Sequence, residues 1–151
     1  MTITSPSFAN GTDIPARFTC DGADVNPALR FGDIPAGTIS LALIVDDPDS
    51  PSGEFAHWLV WNIPPALTEI PEAVTKADWP AGVVEGTNDF PQTGWGGPCP
   101  GKGRHRYRFT LYALNTLLEL PPTTTKPELL ATLSDKIISQ SKLSGLYQRP
   151  Q

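Results

Sequence analysis

Residues Thr38–Ile63 read TISLALIVDDPDSPSGEFAHWLVWNI, and this stretch decides the fold. Thr38 to Val45 is apolar and β-branched, and turn residues bound it at Pro35-Ala36-Gly37 and again at Asp46-Asp47-Pro48-Asp49. A run that short and that apolar reads as a central strand covered on both faces. Phe55 to Ile63 is rich in aromatics and reads as the next strand. A short, proline-stiffened loop joins the two, so Asp47 ends one strand and His57 begins the other. Simple alternation puts Phe55, His57, Leu59 and Trp61 on one face, and Ala56, Trp58, Val60 and Asn62 on the other.

Working outward, Arg106 to Leu114 (RYRFTLYAL) alternates as a third strong strand, with His105 and Tyr107 on the face opposite Arg106. Weaker strands are expected near Met1–Phe8, Phe18–Cys20, Ala28–Phe31, Val83–Glu85 and Leu146-Tyr147. Pro64 to Gly86 reads as a connector. Thr87 to Lys102 is a long Gly/Pro loop of the kind that usually carries function. One helix is expected, opened by the capping pattern Thr125-x-x-Glu128. Leu129, Leu130, Leu133, Ile137 and Ile138 would form its apolar stripe, and Ser144-Gly145 its stop. The expected class is mainly β, with one amphipathic helix in the C-terminal half packed on the sheet.

At 151 residues and 39% hydrophobic, the chain fits one domain, residues 1–151, with a core of its own. Its net charge of −5 argues against nucleic acid, which needs clustered Lys and Arg. No run is long and apolar enough to cross a bilayer. The N-terminus MTITSPSFAN has neither a basic leader nor an apolar signal core, so a cytoplasmic location is expected. The 17 prolines predict many rigid turns. The two cysteines, Cys20 and Cys99, make no framework and no C-x-x-C, so reduced, partly buried thiols are expected and zinc is not.

Asp47, His57 and His105 are the residues that could do chemistry together. The only two histidines both stand at strand starts, and a carboxylate beside an imidazole fixes its tautomer and favours its cation. Read singly, each is an ordinary buried histidine, and the acidic turn is a solvated loop. A calcium loop lacks its fixed Gly and Glu, and a metal site lacks ligand spacing, so no metal and no cofactor are expected. Gly96 to Lys102 matches G-x-x-x-x-G-K only formally, because Pro98 and Pro100 have no N–H to offer phosphate. Ser50, Ser52 and Thr93 are the candidate nucleophiles of a hydrolase, and none sits in a nucleophile elbow.

Asp47-Pro48-Asp49-x-Pro51 followed by His57-Trp58-x-Val60-x-Asn62-Ile63-Pro64 resembles the first signature of the phosphatidylethanolamine-binding protein family. Gly96-Gly97-Pro98-Cys99-Pro100 followed by Gly103-x-His105-Arg106-Tyr107 resembles the second. Asp21-Gly22-x-x-x-Asn26-Pro27 and Asn88-Asp89-Phe90 resemble its bacterial and archaeal, Raf kinase inhibitor-like branch. The resemblance implies a Greek-key fold with a large central antiparallel sheet and a smaller sheet packed on it. It implies a small cavity for phosphate or a phospholipid head group, lined by Asp47, His57, His105 and Tyr107, with Pro51, Gly97 and Pro98 nearby. It also implies cis peptide bonds in the proline loops, and a homodimer as in many bacterial members. Trp95 stands where the family usually has Tyr.

The expected function is non-enzymatic binding of a small anion, weakening as pH rises. Docking to a kinase or protease is the second reading, and hydrolysis through His57 or His105 the third.

Overall fold

The structure, a computed structural model, describes residues 1–150. Its elements are β1 (Thr2–Thr4), β2 (Thr12–Asp13), β3 (Leu29–Gly32), β4 (Ser40–Asp47), β5 (Phe55–Ile63), β6 (Glu69–Ile70), β7 (Val84–Glu85), β8 (His105–Leu114), α1 (Lys126–Leu133) and β9 (Ile137–Tyr147). They form a three-stranded sheet, β1-β3-β6, and a six-stranded sheet, β2-β9-β8-β4-β5-β7. All pairs are antiparallel except β2 with β9. The fold is mainly β, with two sheets and one helix in the C-terminal half, as expected.

Every residue of β4 is buried. Both of its faces are covered, which is why its sequence is a continuous apolar run rather than an alternation. Leu43 and Val45 pack with Phe109 and Leu111 against Ile3 and Phe31 of the small sheet. Ala42 and Ile44, on the other face, pack with Leu59 and Trp61 against Leu129 and Leu133 of α1. Leu129→Ala should therefore lose about 2–5 kcal/mol of stability, read as a lower urea midpoint, because Leu129 is fully buried between helix and sheet.

The helix is shorter than its sequence suggests. Glu128 reaches back to accept from both the amide and the hydroxyl of Thr125, as the capping pattern predicts. The helix stops at Leu133, however, and Ile137 and Ile138 belong to β9. The reason is tertiary: β9 pairs with β8 along its length, from Leu114↔Ile137 to His105↔Tyr147. Phe18 to Cys20 is likewise no strand; Ala16–Phe18 is a single 3-10 turn.

Two loop expectations are also corrected. Cys20 and Cys99 form a disulfide rather than two free thiols. Their loops are stitched together before the bond is counted, since the Cys20 amide donates to the Pro98 carbonyl (3.1 Å) and the Gly97 amide to Asp24 Oδ1 (2.8 Å). Among the described residues no peptide bond is cis.

Candidate functional site

Strands β5, β4 and β8 are neighbours in that order, and β4 runs antiparallel to both. The end of β4 therefore meets the starts of β5 and β8. Asp47 pairs in register with Phe55, and Asp46 with Arg108. This topology alone gathers Asp47, His57, His105 and Tyr107 at one end of the sheet.

A β-bulge then aims His57. Val45 pairs with Trp58 but Asp46 pairs with Ala56, so β5 carries one extra residue there. A bulge of this kind reverses the alternation beyond it and re-aims a side chain. Ala56 thus packs on the helix side with Leu59 and Trp61, while Trp58 and Val60 pack between the sheets. Simple alternation had grouped His57 with Leu59 and Trp61. Instead, His57 meets Tyr107 edge-on, with ring centroids 5.2 Å apart, and Phe55 and Phe90 at 5.1 and 5.4 Å.

The hydrogen bonds assign the imidazoles different roles. His57 Nδ1 lies 2.7 Å from the Gly96 carbonyl, which can only accept, so Nδ1 carries the proton. Its Nε2 makes no hydrogen bond within the described residues. Burial pushes the His57 pKa down, against the pull of the Gly96 carbonyl and the Asp47 charge. A buried, neutral histidine stabilises the fold fully above its ordinary value of about 6.5. That contribution is lost as pH falls below 6.5 towards its lowered folded value, so a wild-type melt should weaken over this window and His57→Gln should flatten the loss.

His105 Nδ1 lies 2.6 Å from Asp47 Oδ2, and Nε2 lies 3.0 Å from the Lys102 carbonyl. Both nitrogens therefore face acceptors, which fixes the ring between Asp47 and the Lys102 carbonyl. Asp47, which sequence proximity paired with His57, is thus the partner of His105. Tyr107 is 1% exposed and its hydroxyl has no hydrogen-bond partner among the described residues. Burial first, and the Asp47 charge second, push its phenol far above the ordinary value, so it stays an O–H donor.

These groups line a cavity of about 210 Å³, together with Ser50, Pro51, Ser52, Phe55, Phe90, Cys99, Pro100 and Gly101. Gly97 and Pro98 do not line it. They back its wall instead, tied to Asp24 and Cys20 as described above. Phe55 and Phe90 were not foreseen. Phe90 is set by Asn88, whose Oδ1 accepts the Phe90 and Gln92 amides, and by Asp89, which accepts the Ala56 amide (2.8 Å). The Asn88-Asp89 pair before an aromatic was the available signal.

The acidic turn is not a cation loop, because each carboxylate already has its own side-chain partner. Asp46 holds Arg108 and Lys126, Asp47 holds His105, and Asp49 holds Arg106. The hydrogen bonds from the Arg106 side chain and amide pull Asp49 down to about 2. No cluster able to hold a metal occurs among the described residues. No serine or threonine hydroxyl bonds either histidine there, and Thr93 lines a different cavity. No helix among the described residues is long and apolar enough to cross a membrane.

A UPF0098 protein of Pyrococcus horikoshii is 45% identical over 96% of this chain and 75% of its own length. A UPF0098 protein of Methanothermobacter thermautotrophicus is 43% identical over 99% of both chains. The crystal structure of a phosphatidylethanolamine-binding protein homologue from Chlamydia trachomatis superposes with a TM-score of 0.91, at 34% identity, covering 99% of this chain and 97% of that one. E. coli YbcL, described as a member of the mammalian family, superposes at 0.92 and 29% identity, covering 99% and 98%. The family model for phosphatidylethanolamine-binding protein matches residues 4–148. The chain belongs to the phosphatidylethanolamine-binding protein family.

Proposed function

We propose that the cavity at the ends of β4, β5 and β8 binds a small, singly charged anion carrying a proton, namely dihydrogen phosphate or the monoanion of a phosphate-monoester head group. The observation that carries this reading is the Tyr107 hydroxyl, buried at the cavity without a partner beside a neutral His57 whose Nε2 is free. A guest P–O⁻ would accept from Tyr107, and a guest P–OH would donate to His57 Nε2. A cavity of about 210 Å³ suits an ion or head group rather than a whole lipid.

Asp47 sets the pH sign. A carboxylate repels a dianion, and its pairing with His105 makes the neighbourhood tolerable only for a singly charged guest. Phosphate monoesters lose their second proton at about pH 6. Affinity for phenyl phosphate should therefore fall by roughly tenfold per pH unit above that point, measured by calorimetry from pH 5.5 to 8. Binding unchanged across this range would rule the mechanism out.

A docking role at the same mouth is the second reading, favoured by Phe90, which is 39% exposed beside the cavity. It predicts that Phe90→Ala loses the partner in pull-down. The disulfide suits an oxidising compartment, or a hyperthermophile-like cytoplasm, better than the ordinary reducing cytoplasm expected above.

A further inference from the structure

The loop that walls the His57 cavity is fastened unevenly. Its first half is held by ordinary hydrogen bonds. The Gly96 amide donates to the His57 carbonyl (2.9 Å), the Gly97 amide to Asp24 Oδ1 (2.8 Å), and the Pro98 carbonyl accepts from the Cys20 amide (3.1 Å). Beyond Pro98 this pattern stops. From Cys99 to Gly103 no backbone amide donates a hydrogen bond among the described residues. The one carbonyl engaged there is that of Lys102, 3.0 Å from His105 Nε2. Gly101 and Gly103 face open space. Pro100 and Gly101 line the His57 cavity on one side and a second hollow of about 250 Å³ on the other, so this half of the wall has room to move. Its firm anchor is the bridge from Cys99 to Cys20.

The bridge is also accessible from one end. Cys99 is exposed, whereas Cys20 is half-buried. Thiol–disulfide exchange depends on which sulfur an incoming thiolate can reach, and exposed bridges are the labile ones.

We infer that Cys99 is a site of exchange with a low-molecular-weight thiol, and that exchange there releases the Cys99–Gly103 wall and weakens the anion site. The incoming thiolate attacks Cys99 Sγ, a new S–S bond forms, and the old one breaks. Cys20 leaves as a thiolate and takes up the proton that the incoming thiol lost. A second thiol then displaces Cys99 in the same way. Two small thiols are thereby oxidised to their disulfide, and the bridge is reduced to two thiols. Gly96 to Pro98 keep their hydrogen bonds, so His57 stays in place while the contact of His105 with Lys102 loosens.

The test equilibrates the full oxidised chain in glutathione buffers of rising reducing strength, well below the melting temperature. Peptide mapping should find the mixed disulfide on Cys99 and not on Cys20. Once the bridge is open, the His105 ring resonances should shift well beyond those of His57, with amide-exchange protection retained in β4 and β8. Phenyl phosphate affinity at pH 6 should fall by roughly tenfold, the cost of ordering a loosened wall, and oxidised glutathione should restore it. Cys20→Ser with Cys99→Ser should show the shifted His105 signal from the start and ignore the thiol. The affinity arm rests on the anion reading, which alone fails if the oxidised chain binds no phenyl phosphate; the adduct and the histidine signals judge the exchange without it. The inference is overturned if the adduct maps to Cys20, if His105 does not move when the bridge opens, or if the bridge opens only when protection is lost across the sheet.

Discussion

Replacing Asp46 with Ala is expected to destabilise the fold by about 3–5 kcal/mol, the largest effect of any single polar change in this protein. Asp46 is 4% exposed and accepts two hydrogen bonds from Arg108, both 2.9 Å, and one from Lys126 at 2.5 Å. Lys126 is itself 7% exposed and opens α1, where a cation is unfavourable on dipole grounds. Burial works against its charge, yet the hydrogen bonds it donates to Asp46 and Glu54 outweigh it and hold its pKa above the ordinary value. Without Asp46, an ammonium and a guanidinium face each other beneath the helix with only the half-exposed Glu54 to answer them. A lower urea midpoint at unchanged slope is the expected reading. The double change Asp46→Leu with Lys126→Met should recover most of the loss, since it leaves no buried unpaired ammonium. The raised Lys126 value also fixes a sign: its contribution is complete below about pH 10.4 and is lost only as pH rises through the higher folded value.

The second large effect belongs to the disulfide. Cys20 and Cys99 are 79 residues apart, and a bridge closing a loop of that size stabilises by about 4 kcal/mol through the unfolded state. Cys20→Ser with Cys99→Ser should lower the melting temperature by many degrees, and added reductant should do the same to the wild type. Because Cys99 also lines the proposed anion cavity, the double variant should bind phenyl phosphate more weakly while remaining folded. Identical melts with and without reductant would show that the bridge is not formed in solution.

Much of the site was legible because its residues stand at the ends of strongly patterned strands. Asp47, His57, His105 and Tyr107 could each be placed by reading where an apolar run starts or stops. The partner of Asp47 could not. Closeness along the chain favoured His57, but β4 lies between β5 and β8, and the bulge turns His57 towards Tyr107 and Gly96. That bulge leaves no mark in the run Ala56-His57-Trp58-Leu59, where almost every position is apolar and a period of two has no polar beat to break. The helix end failed for a related reason. Ile137 follows Leu133 at helical spacing, so only the pairing partner, β8, decides that it is strand. β2 and β6, two residues each, are too short to show any period. The disulfide and the ion cluster under α1 both join residues far apart in sequence, and nothing local announces them.

Tyr107→Phe tests the proposed anion site most directly, because it deletes one oxygen that the folded chain leaves unpaired. Phenyl phosphate affinity at pH 6 should fall by roughly ten- to a hundredfold, the value of a hydrogen bond to a charged group, while the urea midpoint stays level or rises. Undiminished phenyl phosphate affinity, or affinity lost only in step with stability, would contradict the proposal that this phenol receives the anion.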